Sequence, residues 1–273
     1  MRTEWIRSGT SLILGEKATK ELRRCYWWLL ARVGPITPIG RSQNDESEII
    51  DELLALVSLP PTFCEFGFHI KEFNCALLVS RGWQGLLIDG DKANVEIAQG
   101  TLKRSGHDGR VSVVNAFLTT DNVAAIVSQP FEGRELGILS VDIDGNDYWI
   151  LRQLLPMRPC LIIVEYNASL GLRSLSTPYD PRFDRHEKHA SGWYHGASIT
   201  ALNNLCTPHG YSLVRVCSEG LNLFFLRNDL LDSRTTVLSP SEGYRENQPR
   251  NRRSRSSAEE QWNAISALPY VEL

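Results

Sequence analysis

The stretch Thr62–Asp91, TFCEFGFHIKEFNCALLVSRGWQGLLIDGD, has the pattern of the first β-α-β unit of a nucleotide-binding sheet. A short apolar run ends in Glu65-Phe66-Gly67, a helical segment follows to Gly82, and a second apolar run, Leu86–Ile88, ends in Asp89. One acidic residue thus follows each of the first two strands, where such sheets grip the ribose of a nucleoside.

The alternation continues along the chain. Strands are expected at Phe63–Phe66, Leu86–Asp89, Val111–Ala116, Leu136–Ile143 and Leu161–Tyr166, with helices at Glu72–Arg81, Lys92–Arg104, Asp121–Ser128 and Asp147–Leu155 between them. The strands are apolar runs without polar alternation, which predicts a mostly parallel sheet covered on both faces. Upstream, Asp45 and Glu48 have the spacing of a capping box before an amphipathic helix that ends at Pro60-Pro61. Downstream, 167–196 is a long loop of lid-like composition, Ser198 caps a helix to Cys206, and strands Tyr211–Cys217 and Leu221–Leu226 form a hairpin. The segment 239–257, with Arg250, Arg252, Arg253 and Arg255, reads as a solvated or mobile surface segment, with an anion-binding patch as the alternative, and 258–273 packs back through Trp262, Ile265 and Leu268. Three parts follow: an N-terminal helical segment 1–60, a Rossmann-like unit 61–231 and a C-terminal extension 232–273.

A net charge of −3 and a pI near 6.1 give the whole chain no attraction for nucleic acid. The six cysteines stand singly, as buried thiols of a reducing compartment do. No signal-peptide pattern and no membrane-length apolar run is present, so a cytoplasmic location and a small-molecule substrate are expected. The helical pattern Lys17–Val33 carries Trp27-Trp28, which suits core packing or a homodimer contact.

The polar groups expected beyond the strand ends are Glu65, Asp89, Asp91, Asn115, Asp142, Asp144, Asp147, Glu165 and Asn167. This set is too acidic for a phosphate site, and neither GxxxxGK[ST] nor GxGxxG is present. The balance favours a nucleoside carrying a positive sulfonium, S-adenosylmethionine, with a dinucleotide as the alternative.

Glu65-x-Gly67, the acidic end of strand two, Asp142-Ile143-Asp144-Gly145-Asn146-Asp147 and Gly210-Tyr211…Asn222-Leu223-Phe224-Phe225 together resemble the FkbM-like branch of class I methyltransferases. The resemblance covers roughly 46–231. It implies a Rossmann-like seven-stranded sheet, mostly parallel with an antiparallel last strand, and helices on both faces. It also implies that Glu65 and Gly67 line the methionine part of the cofactor, Asp89 grips the ribose, Asn115 and Ala116 meet the adenine, and Asp142 meets the amino group or reacting centre. Asp91 joins this set beside Asp89. The sequence departs from the family at Lys71, where the usual turn ends in glycine. Either the turn takes another shape, or Lys71 or Asn74 meets the cofactor's carboxylate.

The catalytic candidates are His195, as base, with Asp142 and Glu165. Asp142, Asp144, Glu165 and His195 suit Mg²⁺ or Mn²⁺, although their spacing does not require an ion. The Asp142–Asp147 run is no calcium loop, because its glycine comes two places early and Gln153 stands where a bidentate glutamate belongs. The leading expectation is methylation of oxygen on a small hydroxylated or sugar-like metabolite. N-methylation, use of the cofactor's aminobutyrate arm, and a catalytically silent binding module remain alternatives.

Overall fold

In the computed structural model, residues 39–273 are described. The expected helix Lys17–Val33, Trp27-Trp28 and any dimer contact through them lie outside the described residues. Helix α1 (Glu46–Leu56) precedes β1 (Thr62–Phe66), α2 (Ala76–Ser80), β2 (Gln84–Asp89), α3 (Lys92–Arg104), β3 (Val111–Asn115), α4 (Val123–Ser128), β4 (Ile138–Val141), α5 (Asp147–Leu154) and β5 (Leu161–Glu165). Then come β6 (Leu175–Ser176), α6 (Arg185–Lys188), α7 (Ile199–Cys206), β7 (Tyr211–Val216), β8 (Asn222–Arg227), α8 (Pro240–Gly243), α9 (Gln248–Ser254), α10 (Ala258–Ile265) and β9 (Val271–Glu272).

The seven-stranded sheet has the order β3-β2-β1-β4-β5-β8-β7. Strands β1 to β5 pair in parallel, and β8, the last strand of this sheet in sequence, is antiparallel to both of its neighbours. The architecture is therefore the Rossmann-like one expected. Successive residues of a strand face opposite sides. Phe63, Leu87, Ile163 and Phe224 pack with α1, α2 and α3, whereas Cys64, Leu86, Val164 and Phe225 pack with α4, α5 and α7. Strands β1, β4, β5 and β8 are buried along their whole length, which explains why the central strands are largely apolar. Among the described residues no helix is long and apolar enough to cross a membrane, and Cys64, Cys75, Cys160, Cys206 and Cys217 are free and buried.

Three local expectations are corrected. Asp45 precedes α1 but makes no side-chain cap; its carboxylate accepts the Ser218 N–H at 3.1 Å. The neighbouring Glu46 is instead buried and accepts from Asn44 and Asn222. Helix α2 begins at Ala76 rather than Glu72, because Glu65 withdraws the Asn74 and Cys75 amides into a different turn. Finally, 239–257 is surface as expected at Arg252, Arg253 and Arg255, which are exposed, but it is folded and Arg250 departs from that reading. Ser239 forms a true capping box with Glu242 on α8, and α9 carries a buried Arg250. The last residues pack as expected, with Trp262, Ile265 and Leu268 around Leu170 and Tyr194. Strand β9 pairs with β6 from the 167–196 loop.

Candidate active site

The chain leaves β1 toward β2 and β3, then returns to lay β4 and β5 on the other side, so the switch in strand order falls between β1 and β4. Gly67 and Asp142 meet there. Gly67 has φ +67°, and a Cβ on it would fall on the carbonyl oxygen of Asp142. Glu65, 2% exposed, accepts from the Asn74 and Cys75 N–H groups at 2.7 Å each, one per carboxylate oxygen. Asn74 in turn donates from Nδ2 to Ser140 Oγ on β4 at 3.1 Å. Glu65 and Asn74 thus brace the turn from inside. Burial pushes the Glu65 carboxyl up to about 7 against the pull of these amides. Lys71 is half-buried, and its carbonyl oxygen accepts the Arg41 N–H; burial lowers its ammonium pKa.

A second group forms at the ends of β2 and β3, where Asp89 stands opposite Asn115. Asp89 Oδ1 accepts the Asp91 N–H at 2.6 Å, while Asp91 caps α3 by accepting from Ala93 N. Asn115 Nδ2 donates to the Asp89 carbonyl at 2.9 Å, and the Ala116 N–H reaches the same oxygen. Partial burial raises the Asp89 carboxyl pKa. Next to them Phe117 is 60% exposed and lies against Gly90. Sequence reading stopped one residue short of this aromatic; its signal was a phenylalanine past the end of a strand, outside the apolar run.

The third group is acidic. Ligand-capable oxygens of Asp142, Asp144 and Glu165 lie within 4.8 Å of one another. Asp147 does not share this role: it accepts from Ile143 N at 2.8 Å and Gly145 N at 3.0 Å, closing the turn that carries Asp144 at φ 58°. Asp144 pairs with Arg185 of α6. Glu165 is 8% exposed, and its Oε2 has no hydrogen-bond partner among the described residues. Burial, with Asp144 and Asp147 nearby, pushes the Glu165 carboxyl up to about 8; Asp142 is also raised, by burial and then by Glu165. Three hard oxygen donors around one point, one of them buried and unsatisfied, fit a divalent cation of the Mg²⁺ or Mn²⁺ kind.

His195 lies apart from that donor set. It is 1% exposed, its Nε2 is 2.7 Å from Arg250 Nη2, and its Nδ1 has no partner among the described residues. Burial first, then Arg250, Arg185 and His186, hold it well below the usual imidazole range. Asn167, just past β5, donates to the carbonyl oxygens of Trp193 and His195 and so fixes the far end of the 167–196 loop. The same loop crosses the site: the Tyr179 hydroxyl accepts from Thr120 N, Asn146 Nδ2 donates to the Asp180 carbonyl, and Phe183 covers Gly145. Arg250 was not anticipated, since it reaches this point from 83 residues beyond Asn167.

No family model and no curated protein matches the chain. Among solved structures it is similar to an O-methyltransferase from Bacillus cereus in complex with SAH, at 17% identity and TM-score 0.45, over 83% of this chain and 98% of that one. A putative O-methyltransferase from Klebsiella pneumoniae matches at 16% identity and TM-score 0.42, over 84% and 94%. The bifunctional kinase-methyltransferase WbdD matches at 11% identity and TM-score 0.43, over 71% of this chain but only 40% of WbdD. Likenesses at this level assign neither activity nor ligand to this chain.

Proposed function

We propose that this chain is an S-adenosylmethionine-dependent methyltransferase of the FkbM-like branch, acting on oxygen of a small hydroxylated metabolite. The observation that carries the reading is the placement of Glu65, Asp89 and Asp142 at the carboxyl ends of β1, β2 and β4, around the switch in strand order. Asp89 offers a carboxylate to the two ribose hydroxyls, and Phe117 offers an exposed ring face to the adenine. Asp142 would meet the cofactor's amino group or its reacting centre. Glu65, Gly67 and Asn74 act one step back by shaping the turn against which the methionine part lies, while Asp91 holds α3 and, through its N–H, Asp89.

The bound cofactor supplies an electrophilic sulfonium methyl, so the protein's task is to align an acceptor and remove its proton. When no cation is held between the three carboxylates, Glu165 is our choice of base. It is a carboxylate with an open oxygen, and its pKa is pushed up to about 8, close to the range where a base is both ionised and strong. In this reading residues 61–231 form the cofactor unit, with 167–196 and the extension 232–273 closing the acceptor side.

Calorimetry with S-adenosylhomocysteine tests the reading. Asp89→Ala should weaken binding by about 10- to 150-fold, as expected for a lost charge-assisted hydrogen-bonding group. A folded Asp89→Ala protein with wild-type affinity would reject it.

A further inference from the structure

The sequence makes His195 a candidate base, and the hydrogen-bond network around it points to a different role. The network can be followed outward from a group with only one possible role. The Ser256 carbonyl accepts and cannot donate, so the Gln261 amide at 3.0 Å presents its Nε2 there. Gln261 Oε1 therefore faces Ser169 and takes the hydroxyl proton at 2.6 Å. With its proton spent, Ser169 Oγ accepts from Arg250 Nη1 at 3.1 Å. The Asn167 amide is fixed in the same way: Nδ2 donates to two carbonyls, so Oδ1 accepts from Arg250 Nη1 at 2.8 Å. Both acceptors engage Nη1, and Nη2 lies 2.7 Å from His195 Nε2.

A guanidinium has five donors and no acceptor. Burial lowers the Arg250 pKa to about 10, which still leaves it protonated at neutral pH. His195 Nε2 must then carry a lone pair, and the single proton of a neutral ring must sit on Nδ1. We infer that Arg250 is a positioning residue that locks His195 as the neutral Nδ1–H tautomer, making the imidazole a fixed hydrogen-bond donor and removing it as a base.

The charged groups facing the ring agree with this. Burial, and after it the charges of Arg250 of α9 and Arg185 of α6, disfavour a second proton on the imidazole. The Nδ1–H is buried and has no partner among the described residues, so the ligand it suits brings a lone pair: a carbonyl, carboxylate or hydroxyl oxygen. Identifying that oxygen with the methyl acceptor's rests on the function proposed above. The tautomer stands on the geometry alone.

Long-range ¹H–¹⁵N correlation of the full chain labelled with ¹⁵N-histidine tests the inference, with His195→Gln assigning the signals. His195 should show a protonated Nδ1 and a bare Nε2, unchanged over about pH 5 to 8, where free imidazole titrates. Arg250→Met should release the lock, giving a ring that titrates or mixes tautomers, and Arg250→Lys should keep it. A proton on Nε2 in the wild type, ordinary titration of His195 there, or a folded Arg250→Met protein with the wild-type spectrum would each overturn the inference. Should Arg250→Met fail to fold, the wild-type and Arg250→Lys spectra decide. None of these readouts depends on cofactor binding, so a protein that ignores S-adenosylhomocysteine but shows the locked ring would sink the proposed function alone.

Discussion

Gly67 packs so closely on Asp142 that a side chain on the glycine would occupy the aspartate's carbonyl oxygen. The contact joins the ends of β1 and β4 at the switch point, and the positive φ of Gly67 lets the chain turn away immediately. A Gly67→Ala protein faces both a backbone clash and a strained dihedral. We expect a loss of roughly 3 kcal/mol or more, at the upper end for single substitutions, read from the urea midpoint. A wild-type midpoint would mean that the two strand ends are not in contact.

Phe117 carries the second prediction. Stacking of a base on an aromatic ring contributes ~1–3 kcal/mol. Phe117→Ala should therefore weaken S-adenosylhomocysteine binding by about 5- to 150-fold, and Phe117→Tyr should leave it near wild type. The ring is largely exposed, so its removal should barely move the unfolding midpoint. Equal affinity in the alanine variant would place the adenine elsewhere.

The sheet was legible because its evidence is local. Apolar runs such as Leu161–Glu165, broken by Gly82, Gly106 and Pro156, give strand and helix positions within short windows, and α3 fell on its expected bounds. The misreadings share a cause. Asp45 and Glu48 fit a capping box, but Asp45 is occupied by Ser218, 173 positions away. The beginning of α2 depends on Glu65, whose grip on the Asn74 and Cys75 amides no periodicity reports. Arg250 sits in a polar, arginine-rich run that resembles solvated surface, and only the fold brings it to Asn167 and His195. Long-range polar contacts follow no local period, and in this protein they build much of the candidate site.

The buried acids predict how stability depends on pH. Glu65 titrates at about 7 and Glu165 at about 8, against an ordinary value of 4.5. From that ordinary value up to those numbers, the folded state binds more protons than the unfolded state, so both groups make stability fall as pH rises. His195 acts in the opposite sense: its pKa is lowered, so below the ordinary 6.5 the unfolded state takes its proton and stability rises with pH. The two trends overlap below about 6.5, leaving the fall clear from about pH 6.5 to 8. Urea midpoints should decline across that window, and Glu165→Gln should flatten the decline. A midpoint rising over the same interval would contradict the burial assigned to Glu165.

Repulsion among the neighbouring carboxylates, which adds to burial in raising Asp142 and Glu165, predicts how they treat a cation. Mn²⁺ placed among the oxygens of Asp142, Asp144 and Glu165 would offset their mutual repulsion and satisfy Glu165 Oε2. Arg185 competes for the site, because it already pairs with Asp144 from α6. Arg185→Gln should therefore tighten Mn²⁺ binding, by about tenfold if the competition is worth ~1.4 kcal/mol. Asp142→Asn should weaken it, and Lys188→Gln, which breaks the neighbouring pair with Asp180, should leave it unchanged. Calorimetric titration of the full chain with MnCl₂ reads all three. If Arg185→Gln bound Mn²⁺ more weakly than wild type, the arginine would be supporting the three carboxylates instead of competing for them, and their convergence would reflect its pairing alone.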